Sequence, residues 1–288
     1  MNIFPQPISR RSVLSKCALA AMAGFFTTAR STAQKSPAAP SPNLINHPRR
    51  QYSFIRGIPA YSAGVVARIG YEIVHVTFSR VQSLEVGFKA ISDHLTALNL
   101  PKYALCALEI RLPLALSSED FRTFNTRYLE ALRSWSILLD VDVNPIARTN
   151  VAPVLFPPDE PGIHGFSYVG PSSVTEKTFI VAGGGELPDG STNPVDIYRR
   201  GDTSPLAMLE KARFVVARME TRLRVMGVNW PNVTAINVYT AHELTEKLMT
   251  EVLHNTGNNA VTWNYARPPI KDLEFEMDLR GVKREFVL

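Results

Sequence analysis

The apolar positions of this chain change their period in a fixed order, and the order occurs twice. Leu84, Phe88, Ile91, Leu95 and Leu98 recur at helical spacing, which predicts an amphipathic helix over 84–98. A short Asn-Leu-Pro-Lys turn follows. Tyr103–Leu112 is then an apolar run with few breaks, closed by Pro113, and reads as a strand. Residues 118–133 return to helical spacing, with Ser117 or Ser118 as N-cap and Glu119-Asp120 in the first turn, where acids favour a helix start. The second half repeats this. Leu206–Met226 predicts a helix through Leu209, Phe214, Val216, Met219, Leu223 and Met226, stopped by Gly227. Val233–Thr240 is β-rich, and Ala241–Leu253 predicts another helix. Each half thus reads strands, long helix, strand, short helix, strands. The fold class expected is α+β, each unit a β-sheet with two helices on one face. The other sheet face needs a cover, which duplication or oligomerisation can supply.

Composition sharpens this picture at the ends. A chain of 288 residues with 45% hydrophobic and 20% charged residues is neither disordered nor fibrous. It also exceeds the usual single-domain length of about 100–200 residues. The formal charge of +5 is misleading, because Arg10, Arg11, Lys16 and Arg30 lie in an acid-free stretch over 1–33. Without them the body is close to neutral, so no electrostatic footprint for nucleic acid remains. That stretch has an Arg-Arg pair, a short apolar run from Cys17 to Ala29, and Ser31-Thr32-Ala33 before Gln34. These are the parts of a secretory signal of the twin-arginine type. The run is too short to span about 30 Å of bilayer, and no later stretch reaches that length. Export to the periplasm or outside the cell, with no membrane association after cleavage, is the expectation. Residues 34–57 carry Pro37, Pro40, Pro42 and Pro48 without sustained periodicity, and are expected to be a flexible leader. The expected units are 58–168 and 169–288. Cys106 is the body's one cysteine, which leaves no intrachain disulfide.

Several segments converge on one family. Ile58-Pro-Ala-Tyr61-Ser62-Ala-Gly-Val-Val66, Asn144-Pro-Ile-Ala-Arg148-Thr-Asn-Val151, Phe179-Ile-Val-Ala-Gly-Gly184 and Ala266–Gly281 resemble, in order and spacing, the motifs of the RidA/YjgF family. The resemblance covers about 58–288 as a tandem pair of RidA-like (chorismate-mutase-like) units. It implies a homotrimer with clefts between units and hydrolysis of carboxylate-bearing enamines or imines with release of ammonia. It also implies an arginine on the substrate carboxylate, a glutamate orienting water, and no metal or organic cofactor. Arg148 matches the arginine, whose planar fork suits a carboxylate; by residue type alone it fits a surface ion pair equally. Glu274 or Glu276 matches the acid. Both alternate with Leu273, Phe275 and Met277, so both are expected on one strand face, which could also be a solvated one. Tyr61 and Ser62 match the opening pair and are expected to line the substrate site.

The chain departs from the family pattern in a complementary way. Ala260 stands where the second half should carry its arginine, and the segment Gly162–Ser167 of the first half lacks a glutamate. A site shared between halves would restore both; decay of activity would leave the same trace. A non-catalytic ligand-binding or stress-related protein is therefore the alternative function, and a chorismate-cleaving enzyme the third. Gly183-Gly184-Gly185 lacks a Walker lysine and is expected to be a strand-end turn. His164, His242 and His254 have no ligand spacing with Cys106, so no metal is expected.

Overall fold

The computed structural model describes residues 43–49, 51–141, 143–253, 256 and 261–288. The expected signal over 1–33, the first part of the expected leader, His254 and Ala260 lie outside the described residues.

Four helices form where the spacing placed them. Helix α1 covers Leu84–Ala97, with the Ser83 hydroxyl accepting the Val86 N–H. Helix α2 covers Ser118–Ser134, and Ser117 is its cap, accepting the Asp120 N–H at 3.1 Å. Helix α3 covers Pro205–Met226, with Ser204 as cap and Pro205 in its first turn. It stops at Gly227, whose φ of +69° is one that glycine adopts at little cost. Helix α4, Glu246–Leu253, is shorter than expected. Thr240 Oγ1 takes the His242 N–H and Thr245 Oγ1 takes the Leu248 N–H, so the helix begins only after Thr245.

Twelve strands join one sheet among the described residues. They are β1 (Leu44–Asn46), β2 (Tyr52–Ile55), β3 (Gly64–Ala67), β4 (Tyr71–Ser83), β5 (Leu105–Arg111), β6 (Ala147–Pro153), β7 (Gly162–Pro171), β8 (Phe179–Gly185), β9 (Ala235–Thr240), β10 (Val261–Arg267), β11 (Glu276–Gly281) and β12 (Glu285–Val287). Their order is β1-β2-β3-β8-β11-β9-β10-β6-β5-β7-β4-β12. The stretches β6-β5-β7-β4 and β10-β9-β11-β8 have the same order. In each, one pair is parallel, β5–β6 or β9–β10, and the others are antiparallel. A parallel pair needs a long crossover, which α2 supplies in the first stretch and α4 in the second. The antiparallel pair β10–β6, at Ala266↔Pro153 and Arg267↔Ala152, joins the stretches.

The leader expectation needs correction from residue 44 onward. Strands β1 and β2 lie there, and Tyr52, Phe54 and Ile55 are fully buried. Its prolines stop at Pro48, and the four-residue strand after them is too short to show a period. The hairpin β2–β3 then pairs with β8, and β12 pairs with β4. The ends of the described chain are thus sewn into opposite stretches of the sheet.

Three apolar clusters order the layers. Helices α1 and α2 cover one face of the β4–β7 stretch through Phe88, Ile91, Phe124, Tyr128 and Leu132. Helices α3 and α4 cover the β8–β11 stretch through Met208, Val215, Met219, Leu223 and Leu248. The opposite faces of the two stretches meet through Tyr52, Phe54, Val65, Ile73, Ala107, Ala147, Val169 and Ile180. The chain therefore fills the sheet face from which an oligomer was expected, and that burial argument no longer calls for a second copy.

Candidate active site

A cleft opens where the two stretches meet. Strand β6 supplies Arg148 and Asn150, β8 supplies Gly183–Gly185, and α3 supplies Arg218 and Arg222. Tyr61, Phe121 and the loop after β8 complete the wall, and Glu276 at the start of β11 faces the same space. Arg148 and Glu276, from opposite halves of the sequence, thus line one cleft.

Arg148 is only 2% exposed. Its guanidinium sits 4.6 Å from the Tyr61 ring centroid and 4.5 Å from that of Tyr128, with Phe121 and Phe124 just beyond. Ring faces favour the cation and fix its plane. Nη2 donates to Asn125 Oδ1 at 2.7 Å, whereas Nε and Nη1 are buried without partners. Both side-chain polar atoms of Asn150 are likewise buried and unpartnered. Buried donors are almost always satisfied in folded proteins, so this group of orphans marks where an acceptor-bearing ligand fits. Burial lowers the Arg148 pKa from its ordinary value, and Tyr128 and Tyr61 oppose that fall.

Glu276 is 3% exposed. Burial pushes its pKa well above the usual carboxylate range; Asp278 and Glu186 add to the rise, and Arg218 and Arg222 oppose it. A raised pKa favours the neutral acid over the carboxylate. Gly183 makes room for it: a Cβ there would lie 2.2 Å from Glu276 Oε1. The three glycines are therefore not a turn. They lie within β8 and let Glu276, Arg222 and Leu273 approach the strand.

Asp189 holds the rim. Its Oδ1 accepts from both Arg218 Nη2 and Arg222 Nη2, while Arg222 Nη1 also donates to the Ala182 carbonyl at 2.8 Å. Burial alone would raise Asp189, but the two arginines override it and hold its pKa well below the ordinary value. The Nε of each arginine remains buried and unpartnered.

Two sequence candidates lie elsewhere. Ser62 is fully buried, its hydroxyl donates to the Pro145 carbonyl at 3.1 Å, and it does not line the cleft. Glu274 precedes β11 rather than lying in it. Its Oε2 meets His242 Nε2 at 2.8 Å and Arg267 Nη1 at 3.6 Å, outside the cleft. Strict alternation fails there because Leu273 turns into a small cluster with Phe121 and Leu187, whereas Phe275 and Met277 pack against α3. Asn150, Asp189, Arg218 and Arg222 were not anticipated. The available signal was on α3, where cations at 218 and 222 adjoin the apolar positions 219 and 223. Among the described residues, no three His, Cys, Asp or Glu side chains gather to hold a metal ion, and no helix is long and apolar enough to cross a membrane.

Comparison with known proteins adds family membership. The E. coli YjgF gene product has 14% identity and a TM-score of 0.27, covering 37% of this chain and 81% of that one. A crystal structure of a chorismatase has 11% identity and a TM-score of 0.46, covering 81% of this chain and 77% of that one. A 2-amino-5-chloromuconate deaminase from Comamonas testosteroni is 39% identical over 241 residues, 82% of this chain and 96% of the relative. The model of the 2-aminomuconate deaminase CnbZ family matches residues 44–286, and the chain therefore belongs to that family.

Proposed function

We propose that this protein is a hydrolytic deaminase of an unsaturated amino diacid of the 2-aminomuconate type. Such a substrate is an enamine with the amino group beside a carboxylate. The observation that carries the reading is the pairing, across one cleft, of a buried arginine with two unpartnered nitrogens and a buried glutamic acid. Arg148 takes the carboxylate next to the amino-bearing carbon. Protonated Glu276 gives its proton to the enamine β-carbon, which converts C=C–NH2 to an iminium. The carboxylate so formed accepts a proton from water as the water oxygen attacks the iminium carbon. Returning that proton to nitrogen lets ammonia leave as the C–N bond breaks, and the hydroxyl proton passes to the Glu276 carboxylate as the carbonyl forms, which restores the acid. One acid thus serves as general acid and then general base, a use favoured when its pKa is raised toward working pH. Tyr61 fixes the plane of Arg148, and the Arg218–Arg222 pair supplies positive charge for a second carboxylate.

The test is ammonia release from freshly generated 2-aminomuconate, wild type against Arg148→Ala. Turnover by the wild type that collapses in the variant is expected. Tight binding of the diacid without ammonia release would overturn the reading in favour of a ligand-binding protein.

A further inference from the structure

Glu186 and Lys211 form an ion pair that the deamination steps do not use. Both side chains are fully buried, with Lys211 Nζ 2.8 Å from Glu186 Oε1. The same oxygen accepts the Glu274 N–H at 2.7 Å, and Oε2 accepts the Phe275 N–H at 3.1 Å. Burial raises the Glu186 pKa from its ordinary value, and Lys211 and the Glu274 N–H oppose that rise by favouring the carboxylate. The Glu186 carbonyl, in turn, accepts the Tyr198 N–H at 2.8 Å and so ties both ends of the loop that carries Asp189.

The place of this pair is informative. Gly185 pairs with Glu276 at the end of the β8–β11 ladder. One step further the ladder stops, and the Glu186 carboxylate takes the two N–H groups immediately before Glu276. On α3, Lys211, Arg218 and Arg222 are spaced by seven and four residues, which puts them on one face. One ion pair therefore joins the helix of the cleft arginines, the strand that gives Glu276 its room, and the backbone that aims Glu276. Burying an ion pair is a poor route to stability, since apolar residues of similar volume do as well. The connection it makes is its distinctive contribution.

We propose that the Lys211–Glu186 pair is the positioning device of the site, fixing Glu276 against the arginines of α3 while itself touching no substrate. The proposal rests on the reading of Glu276 as the proton carrier. The charged groups that act on Glu276 are Asp278, Glu186, Arg218 and Arg222, with Tyr61 and Arg148 also lining the cleft. Removing the Glu186 charge removes one cause that holds Glu276 protonated. The alkaline limb of kcat/KM, which reports the acid form of the free enzyme, should then move down in pH.

The experiment is a pH–rate profile of ammonia release from 2-aminomuconate. It compares wild type, Glu186→Gln, the double variant Glu186→Gln/Lys211→Met, and Glu276→Gln. The double variant leaves no charge unpaired, so folding does not face an isolated buried ion. The alkaline limb is expected to move down by about half a pH unit or more in both Glu186 variants. Their kcat is expected to fall about 10- to 100-fold, the scale of a small misplacement of a reacting group, with KM near wild type. A purely structural pair would lower the amount of folded enzyme without moving the limb. A limb at the wild-type pH in both variants would overturn the proposal. Full turnover in Glu276→Gln would instead overturn the reading of Glu276, so the two failures are told apart.

Discussion

Two buried polar clusters lie between the same two stretches of sheet, and they differ in how fully they are satisfied. In the cleft, Arg148, Asn150, Arg218 and Arg222 all keep unpartnered buried nitrogens, and Asn150 an oxygen as well. In the second cluster each group has its partner. Glu109 meets His75 at 3.6 Å, Arg111 at 3.3 Å and Arg280 at 4.0 Å. Asp278 accepts from Asn237 and Tyr239, both at 2.8 Å, and Arg280 reaches Glu285 on the last strand. Strand β11 serves both clusters, with Glu276 in the first and Asp278 and Arg280 in the second. Burial and charge alone do not distinguish them. A closed network leaves nothing to offer a ligand, whereas orphaned donors beside a buried acid keep hydrogen-bonding capacity that the folded chain does not use.

The sharpest way to break the contrast is to remove the proton carrier. Glu276→Gln keeps the shape and should lower kcat by about 10²- to 10⁴-fold, the usual worth of general acid–base catalysis, with KM little changed. Glu274→Gln should stay within a few-fold of wild type, because that carboxylate is held by His242 outside the cleft. A larger loss from Glu274→Gln would exchange the two roles. Next in size is Arg148→Lys. Lysine keeps the charge but loses the plane that the Tyr61 and Tyr128 rings hold. A lost charge-assisted contact costs roughly 1.5–3 kcal/mol, or about 10- to 150-fold in kcat/KM. Steady-state kinetics at saturating and limiting substrate separate these outcomes.

Much of the second contrast was hidden in the sequence, for a physical reason. Helices announce themselves by period and caps, so α1, α2 and α3 lie within a residue or two of their expected bounds. Arg148 and Glu276 were legible as residue types in a motif. Whether Glu274 or Glu276 faced the cleft was not, because the choice depends on where β11 starts, and the Glu186 carboxylate decides that from far away in sequence. Short β2 was missed because four residues cannot establish a period, and its burial comes from pairing with β3, which in turn meets β8. The satisfied cluster drew no attention at all. Its members lie on β4, β5, β9, β11 and β12, and only strand pairing brings them together.

That satisfied cluster should reveal itself in stability instead of turnover. Burial would raise Glu109, but His75, Arg111, His164 and Arg280 outweigh it and bring its pKa down to about 2. A carboxylate whose folded pKa lies below its unfolded value of about 4.3 stabilises the fold above that value, and the gain is lost as pH falls toward 2. Asp278 acts in the opposite sense, since burial and Glu109 raise it to about 6. Its proton stabilises the fold below its unfolded value, and that gain is lost as pH rises through about 6. Chemical denaturation from pH 7 to pH 2 should show Glu109→Gln less stable than wild type at pH 7, with the gap closing in acid. Turnover at neutral pH should stay within a few-fold. A large loss of kcat with unchanged stability would merge the two clusters into one functional site.

The smallest effect tests the boundary of the cleft itself. Ser62 is next to Tyr61 in sequence, yet the two side chains go opposite ways. The Tyr61 ring stacks on Arg148 while the Ser62 hydroxyl donates to the Pro145 carbonyl and its N–H to the Ile146 carbonyl. That second contact pins the strand start two residues before Arg148, so Ser62 acts on the arginine only through backbone. Ser62→Ala removes the hydroxyl but keeps the backbone bond. Its net cost should be about 1 kcal/mol of stability, the usual worth of one intramolecular hydrogen bond. Thermal denaturation should therefore show a small drop, and kcat/KM should remain within about two-fold of wild type, since the change reaches no group in the cleft. Tyr61→Leu provides the opposite case: it leaves the Pro145 contact intact and removes a ring face from the guanidinium, so KM should rise while stability changes little. If Ser62→Ala instead lowered kcat as strongly as Arg148→Lys, the hydroxyl would have to turn toward the substrate during the reaction, and the line drawn between satisfied and unsatisfied groups would fail at its nearest point to the site.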